Sequence, residues 1–476
     1  MMESAICKAY ENCGFLPVGK LNCLDDIPTA AGGKLCLGME CLDRDLWDFD
    51  RAFETIRALG VRRVRLQTGW QKTEKAPGVY AFEWLDHIVD QLKSAGIQPF
   101  LSLSYGNRLY CSNPQDCPNL DNGGVGHIPV VTPEEREAWQ RYVHHIVRHF
   151  RDRVHEYEVW NEPDVAVFCR VPMSWPDAYM GLVKLTVPVI REEMPDATVI
   201  TCTAGLENIA TLLRRGMGSY TDVHSFHGYQ FFPEMRPAAY CRSQLNRCLQ
   251  QAPHLRFWRG EAGCPSYNDP ISKGALSNIP VTEIKQAKFL LRHLLQDLAN
   301  DALEMSSYFH AYDFEHFTHK LRYHYGVIRH EDLSRKPAYH CLQVLAHLFD
   351  GSTVHTEPAP AFIQDGSDLS PRELLTLQLF AFSRNGQPVY SCHLPLDIVD
   401  DFTVRSVRLC LPQALEHPVV LDPMTGSVYA PQDDTFPVTD YPLFIMDASA
   451  LAPFAQVNLQ SKNTVCTEDL TQKIEE

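Results

Sequence analysis

The chain has 476 residues, 45% of them hydrophobic, with a formal net charge of -16 and an isoelectric point near 5.7. That length can bury a large core and exceeds the usual single domain, so two or three domains are expected. The acidic balance argues against a nucleic-acid or anionic-membrane surface, both of which need basic patches, and fits a neutral substrate best.

Met1 to Asn12 contain no basic segment followed by a long apolar core, and no apolar run is long enough to span a bilayer. A cytoplasmic protein without a membrane partner is expected, with a homo-oligomer left open. The 16 cysteines are dilute and show no repeating metal-ligand spacing, so most read as reduced core residues. Cys111 and Cys117 flank a short loop, where a local disulfide and two unpaired thiols both stay open.

Residues 1–33 are weakly patterned and read as an N-terminal arm. From Lys34 strands and helices alternate. Leu35 to Met39 is strand-like, Leu46 to Leu59 has helical periodicity, and Val61 to Gln67 is a strand that follows the Gly60 helix stop. Phe82 to Ala95 reads as a helix closed by Gly96, and Ile97 to Ser104 as the third strand. The Gly/Pro/Asn-rich loop from Tyr105 to Val131 is long enough to be functional and would line a pocket. Thr132, Pro133 and Glu135 then form a helix start with a capping-box pattern. That helix carries His144, His145 and His149, but no Glu-bearing zinc pattern, so surface and groove histidines are expected rather than a metal site.

Val154 to Trp160 makes the fourth strand. Pro176 to Met194 is helical, Ala197 to Thr203 is the fifth strand, Asn208 to Arg215 a short helix and Val223 to Phe226 the sixth strand. Leu255 to Arg259 leads into Gly260-Glu261-Ala262-Gly263 as the seventh, Thr282 to Asn300 is a strong helix, and Met305 to His310 is the eighth strand. With a last helix from Pro337 to Phe349, the pattern is α/β and predicts a closed (β/α)8 TIM barrel over 34–350. A doubly wound sheet is disfavoured because no Gly-x-Gly-x-x-Gly loop follows an early strand.

After Asp350 short strands alternate with turns. Leu374 to Ser383 and Pro388 to His393 should pair across Asn385-Gly386, a preferred dipeptide for tight hairpins, and a second hairpin should turn at Thr425-Gly426. With Val404 to Leu411 and Leu443 to Met446, residues 351–455 should form a C-terminal antiparallel β-sandwich, and 456–476 a disordered tail.

Chemistry concentrates at two strand ends. In Tyr157-Glu158-Val159-Trp160-Asn161-Glu162-Pro163-Asp164 a buried strand stops at a proline, placing the Glu162 carboxylate at its C-terminal end, where barrels gather their active sites. Glu261 holds the equivalent place on strand seven, near two glycines that allow close approach. Two facing carboxylates suit glycosidic bond cleavage, one protonating the departing oxygen while the other attacks the anomeric carbon or activates water. Burial side by side separates their pKa values.

These residues make the chain resemble a clan A glycoside hydrolase, closest to glycoside hydrolase family 39 and its relatives. The likeness rests on Asn161-Glu162-Pro163, Glu261, Arg65 in Val64-Arg65-Leu66-Gln67, and His227-Gly228-Tyr229. It implies that Glu162 is the acid/base, Glu261 the nucleophile and Asn161 the donor to the sugar 2-hydroxyl, with retained anomeric configuration. Arg65 and Tyr229 would hold Glu261 ionised, and His227 would join the substrate site. Each of these has a plainer reading as core packing or a barrel ion pair. Clan members commonly carry a Trp at the end of strand eight, where this chain has Tyr308-Phe309-His310-Ala311-Tyr312, so Tyr308 or Tyr312 would supply the aromatic floor. Of Trp70, Tyr105, Trp160 and Trp258, Trp70 and Tyr105 rank higher as sugar platforms because they sit at strand-to-loop transitions.

The expected activity is that of a retaining exo-acting β-glycosidase on short oligosaccharides or glycosides, with a carbohydrate substrate, no cofactor and no metal. The identity of the glycone stays open among xylose, glucose, galactose and arabinose. A barrel that binds carbohydrate without cleaving it would have lost one of the two glutamates, and both are present.

Overall fold

The computed structural model describes residues 2–266, 275, 276, 279–316 and 321–458. Two compact units emerge: Thr29–Gly351, and a second that joins the residues up to Pro28 with those from Ser352 onward.

The first unit contains a closed barrel of eight parallel strands: β1 (Leu35–Gly38), β2 (Arg63–Gln67), β3 (Gln98–Leu103), β4 (Glu156–Val159), β5 (Thr198–Thr203), β6 (Val223–His227), β7 (Arg256–Ala262) and β8 (Met305–Tyr308). The ring closes where β8 pairs with β1, Ser306 opposite Leu35 and Tyr308 opposite Leu37. A helix follows each strand: α1 (Phe49–Ala58), α2 (Glu83–Ser94), α3 (Pro133–Phe150), α4 (Trp175–Glu193), α5 (Ile209–Leu213), α6 (Ala238–Leu249), α7 (Glu283–Leu298) and α8 (Pro337–Leu348). The expected strands are present, and α6 adds to the expected helices. Its apolar stripe is only Cys241, Leu245 and Cys248, a narrow signal in a polar segment. The cap at the start of α3 is complete: Thr132 accepts from the Glu135 amide, and the Glu135 side chain returns to the Thr132 amide at 3.1 Å.

The barrel interior is filled in part by Cys36, Phe100, Ile200 and Trp258, one from each odd strand. The even strands β2 and β4 carry charge instead. The two-residue period of a strand sets Arg63 against Glu156 in one layer and Arg65 against Glu158 in the next, nearer the strands' C-terminal ends. This ladder raises a buried guanidinium to the level where the strands open into loops.

The second unit is built of antiparallel sheets. Eight strands run in the order Thr353–Thr356, Gln378–Arg384, Gln387–His393, Leu443–Asp447, Pro418–Leu421, Ser427–Tyr429, Pro17–Leu21 and Ala455–Val457. A second sheet holds Ala361–Ile363, Arg405–Cys410 and Thr435–Val438. The expected hairpin turns at Asn385-Gly386, both with positive φ (51° and 81°), which is the geometry that pair favours. Three expectations are revised. Leu374–Thr376 belong to a short helix, Pro371–Thr376, capped by Ser370. The N-terminal segment carries a helix, Met2–Asn12, and its strand Pro17–Leu21 lies inside the eight-stranded sheet, pairing with Ser427–Tyr429 and Ala455–Val457. Gln456 and Val457 therefore belong to a strand, while the tail from 459 onward lies outside the described residues.

Among the described residues no helix is long and apolar enough to cross a membrane.

Candidate active site

The chain turns abruptly after β4. Trp160 and Glu162 adopt φ of 68° and 42°, in the left-handed region that L residues with side chains rarely enter. Neighbouring bonds hold this turn: the Trp160 amide donates to the Leu103 carbonyl at 3.1 Å, and Ser102 Oγ to the Trp160 carbonyl at 3.1 Å. Asp164 pins the next stretch to the segment after β5, accepting from the Ala204 amide at 2.7 Å, the Gly205 amide at 3.0 Å and Asn208 Nδ2 at 2.7 Å. The result aims Glu162 into the barrel mouth. Glu261 is part of β7 itself, and Gly260 before it lets the strand pass close to β6, since a Cβ there would lie 2.1 Å from Ser225 Oγ.

The two carboxylates meet through His227, at the end of β6. Its Nδ1 stands 2.7 Å from Glu162 Oε1 and 3.5 Å from Glu261 Oε2, and the facing atoms of the three groups lie within 4.8 Å of one another. Its Nε2 is 3.5 Å from Cys202 Sγ. Arg65, fully buried on β2, donates to Glu261 Oε1 at 2.5 Å, Glu40 Oε1 at 2.9 Å, Glu158 Oε2 at 2.8 Å and Asn161 Oδ1 at 2.9 Å. Tyr229 Oη donates to Glu261 Oε2 at 2.8 Å.

These neighbours drive the two carboxyls apart. Burial pushes Glu261 upward, but the His227 and Arg65 cations and the Tyr229 hydroxyl outweigh it and hold the carboxyl below the usual range. Burial also pushes Glu162 upward, and here His227 offsets it only in part, so Glu162 stays above the usual range. Burial lowers His227, but the facing Glu261, Cys202 and Glu162 overcome this and raise it well above its ordinary value. Glu40, pushed up by burial more than Arg65 lowers it, reaches about 7.

Two cavities converge on this pair. The first, about 380 Å³, is lined by Glu40, Arg44, Gln67, Tyr105 and Asn161, with Asn119, Asn122 and Val125 from the loop after β3. The second, about 750 Å³, is lined by His227, Tyr229, Asp164, Asn208 and Arg236. Glu162, Glu261, Phe168, Phe309 and Tyr323 border both. Such volumes suit small-molecule sites.

Of the residues singled out from the sequence, Glu162, Glu261, Asn161, Arg65, His227 and Tyr229 come together here, and Tyr105 lines the first cavity. Two do not reach it. Trp70 is fully buried, stacked on Tyr110 at 5.5 Å and Tyr142 at 5.4 Å, with Nε1 donating to Glu74. Tyr308 is fully buried in the barrel wall beside Leu37 and Ala262. Tyr312 also packs away from the carboxylates, stacked on Trp47 at 5.5 Å. The aromatic surface at the end of β8 is Phe309, edge-on to Tyr229 and Tyr325. Trp160 and Trp258 fill core. Glu40, Arg44 and Gln67 gave no distinct signal in the sequence, although Gln67 lies two residues beyond Arg65 and so shares its face of β2.

Among the described residues three clusters could hold a metal ion: Glu162 with His227 and Glu261, Glu158 with Cys202 and His227, and Cys111 with Cys117 and His127. The first two share His227, and their carboxylates are already bonded to Arg65, Tyr229 or His227. His144 and His149 are instead paired with Glu193 and Asp86, each at 2.7 Å. Cys111 and Cys117 carry free thiols and are not joined in a disulfide.

The model of a family described as "Glycosyl hydrolases family 39" matches residues 47–368. Among solved structures, a family 39 glycoside hydrolase from the gut symbiont Bacteroides cellulosilyticus WH2 superposes with a TM-score of 0.63 at 20% identity, covering 87% of this chain and 80% of that one. A monomeric beta-xylosidase from Caulobacter crescentus CB15 gives 0.53 at 16% identity, over 88% and 98% of the two chains. The GH39 enzyme from Xanthomonas axonopodis pv. citri gives 0.51 at 16%, over 89% and 97%. At these identities the structural likeness concerns the fold.

Proposed function

The chain belongs to glycosyl hydrolase family 39 and is a glycoside hydrolase, and from that premise we propose a retaining, exo-acting β-glycosidase of short oligosaccharides or glycosides. Glu261 is the nucleophile and Glu162 the acid/base. The observation that carries this reading is the shared contact of both carboxylates with His227, which sets their facing atoms within 4.8 Å. Separations near 5 Å leave room for direct attack on the sugar, whereas inversion needs a wider gap for water.

In the first step an ionised Glu261 oxygen attacks the anomeric carbon as the glycosidic C–O bond breaks, and Glu162 gives its proton to the departing oxygen. The raised Glu162 and lowered Glu261 supply the two protonation states this requires. In the second step water attacks the same carbon, Glu162 takes its proton, and Glu261 leaves as the carboxylate. Asn161 lines only the first of the two cavities, which makes that cavity the glycone pocket, with Glu40, Arg44 and Gln67 for sugar hydroxyls. The loop residues Asn119, Asn122 and Val125 wall it, which supports exo action. Departing groups then occupy the second cavity beside His227 and Tyr229. A similar fold is described as a beta-xylosidase, so xylosides head the nitrophenyl glycoside panel that would identify the glycone.

The direct test is a 2-deoxy-2-fluoro glycoside with a good leaving group. Fluorine slows both steps and the leaving group rescues only the first, so the covalent intermediate should accumulate. Intact mass should rise by one fluorosugar, and peptide mapping should place it on Glu261. Label on another carboxylate reassigns the nucleophile; turnover to an inverted product without an adduct overturns the retaining mechanism.

A further inference from the structure

We propose that Cys111, Cys117 and His127 form a binding site for one zinc-class divalent ion, which cross-links the loop between β3 and α3 behind the first cavity. The site is separate from the carboxylate pair and plays no part in bond cleavage.

Three potential ligand atoms, two sulfurs and a ring nitrogen, all lie within 4.8 Å of one another. Tetrahedral zinc with thiolate bonds of about 2.3 Å holds neighbouring ligand atoms roughly 3.5–4 Å apart, so small side-chain shifts would close this cluster on an ion. Two thiolates and an imidazole form the soft to borderline donor set that zinc prefers and that magnesium and calcium do not.

The histidine points to a ligand independently of the cysteines. His127 is 1% exposed, its Nδ1 makes no hydrogen bond, and its Nε2 faces a single carboxylate, that of Glu135. Its Nε2 stands 3.0 Å from Glu135 Oε1, the pairing by which a carboxylate orients a metal-bound histidine from behind. Glu135 is itself held rigidly, accepting from the amides of Ser112 at 2.8 Å, Val131 at 2.9 Å and Thr132 at 3.1 Å. This arrangement assigns Nδ1 to the ion. Both cysteines would ligate as thiolates, Cys117 giving up its bond to the Arg170 carbonyl at 3.6 Å.

The position gives the ion a purpose. Cys111 and Cys117 bracket the short 3-10 turn Pro114–Asp116, and His127 closes the loop. Between them lie Asn119, Asn122 and Val125, the residues that wall the first cavity. Binding would release the protons of both thiols, and any proton on His127 Nδ1, to solvent and leave one coordination position for water. Cys111 is partly exposed, which provides the entry path.

The test uses the full-length chain, reduced and stripped of metal, titrated with cobalt(II) without oxygen. A thiolate-to-cobalt charge-transfer band and intense four-coordinate visible bands should appear, saturate at one equivalent and vanish on adding zinc. Cys111→Ser and Cys117→Ser should each abolish the charge-transfer band or weaken cobalt binding at least tenfold, and Cys23→Ser should not. A second measurement needs no variant to fold: zinc should protect Cys111 and Cys117 of the unmutated protein from iodoacetamide, read by peptide mass mapping, while exposed Cys23 and Cys410 react. Absence of the thiolate band in reduced protein, protection of other cysteines instead, or a Cys111–Cys117 disulfide in the chain as isolated that blocks uptake would each overturn the proposal.

Discussion

His227 Nδ1 stands 2.7 Å from Glu162 Oε1, and because the same nitrogen also faces Glu261 at 3.5 Å, one ring touches both carboxylates. Its charge lowers both groups. Replacing it with glutamine keeps a polar group but removes the charge, so both carboxyls should become harder to ionise. In His227→Gln both limbs of the kcat/KM pH profile should move to higher pH, with kcat/KM down by about 10²-fold at neutral pH. Limbs that stay in place would show that His227 only packs.

Glu162 occupies a left-handed backbone position, which glycine adopts without strain. Glu162→Gly should slow glycosides with poor leaving groups by about 10²–10⁴-fold and activated dinitrophenyl glycosides far less. The alkaline limb of its pH profile should disappear. Thermal unfolding should shift upward, by about 1 kcal/mol of stability, as the strain of the left-handed position is released. Equal losses on both substrate types would remove Glu162 from the acid/base role.

Glu40 contributes a pH dependence of stability. Burial, more than Arg65 can counter, raises its folded pKa from 4.5 to about 7. A group raised on folding adds stability that is fully present below its unfolded pKa and is lost as pH rises through the folded value. The loss should fall between pH 4.5 and 7 and amount to about 3 kcal/mol. Glu40→Gln should flatten that part of the stability curve, measured by denaturant unfolding at several pH values. An unchanged slope would assign it to another group.

Phe309 borders both cavities beside the carboxylates, with its ring edge-on to Tyr229 and Tyr325. Phe309→Ala should lower kcat/KM by about fivefold, matching the ~1 kcal/mol that an aromatic contact provides, and Phe309→Trp should retain most activity. Tyr308→Phe, altered only inside the barrel wall, should leave kinetics unchanged. The reverse ranking would return the sugar platform to Tyr308.

The barrel strands, the Thr132 cap, the Asn385-Gly386 turn and the placing of Glu162 and Glu261 at strand ends are all legible in the residues themselves. They follow from local rules: a period of 2 or 3.6, a capping side chain, a proline that ends a ladder. Arg65 is legible only through the resemblance to the family, since no local rule separates it from Arg62 and Arg63 in the same segment. What depends on distant segments meeting is settled only in the folded chain. Trp70 and Tyr105 sit at similar strand-to-loop transitions, yet Trp70 is enclosed by Tyr110 and Tyr142 while Tyr105 lines the first cavity. Pro17–Leu21 joins a sheet with strands over 400 residues later, a pairing no local pattern encodes. The division of protons between Glu162 and Glu261 belongs to the same class. Both are glutamates at strand ends, and only barrel closure, which sets Arg65 and Tyr229 against one and leaves the other with a shared histidine, makes their pKa values diverge.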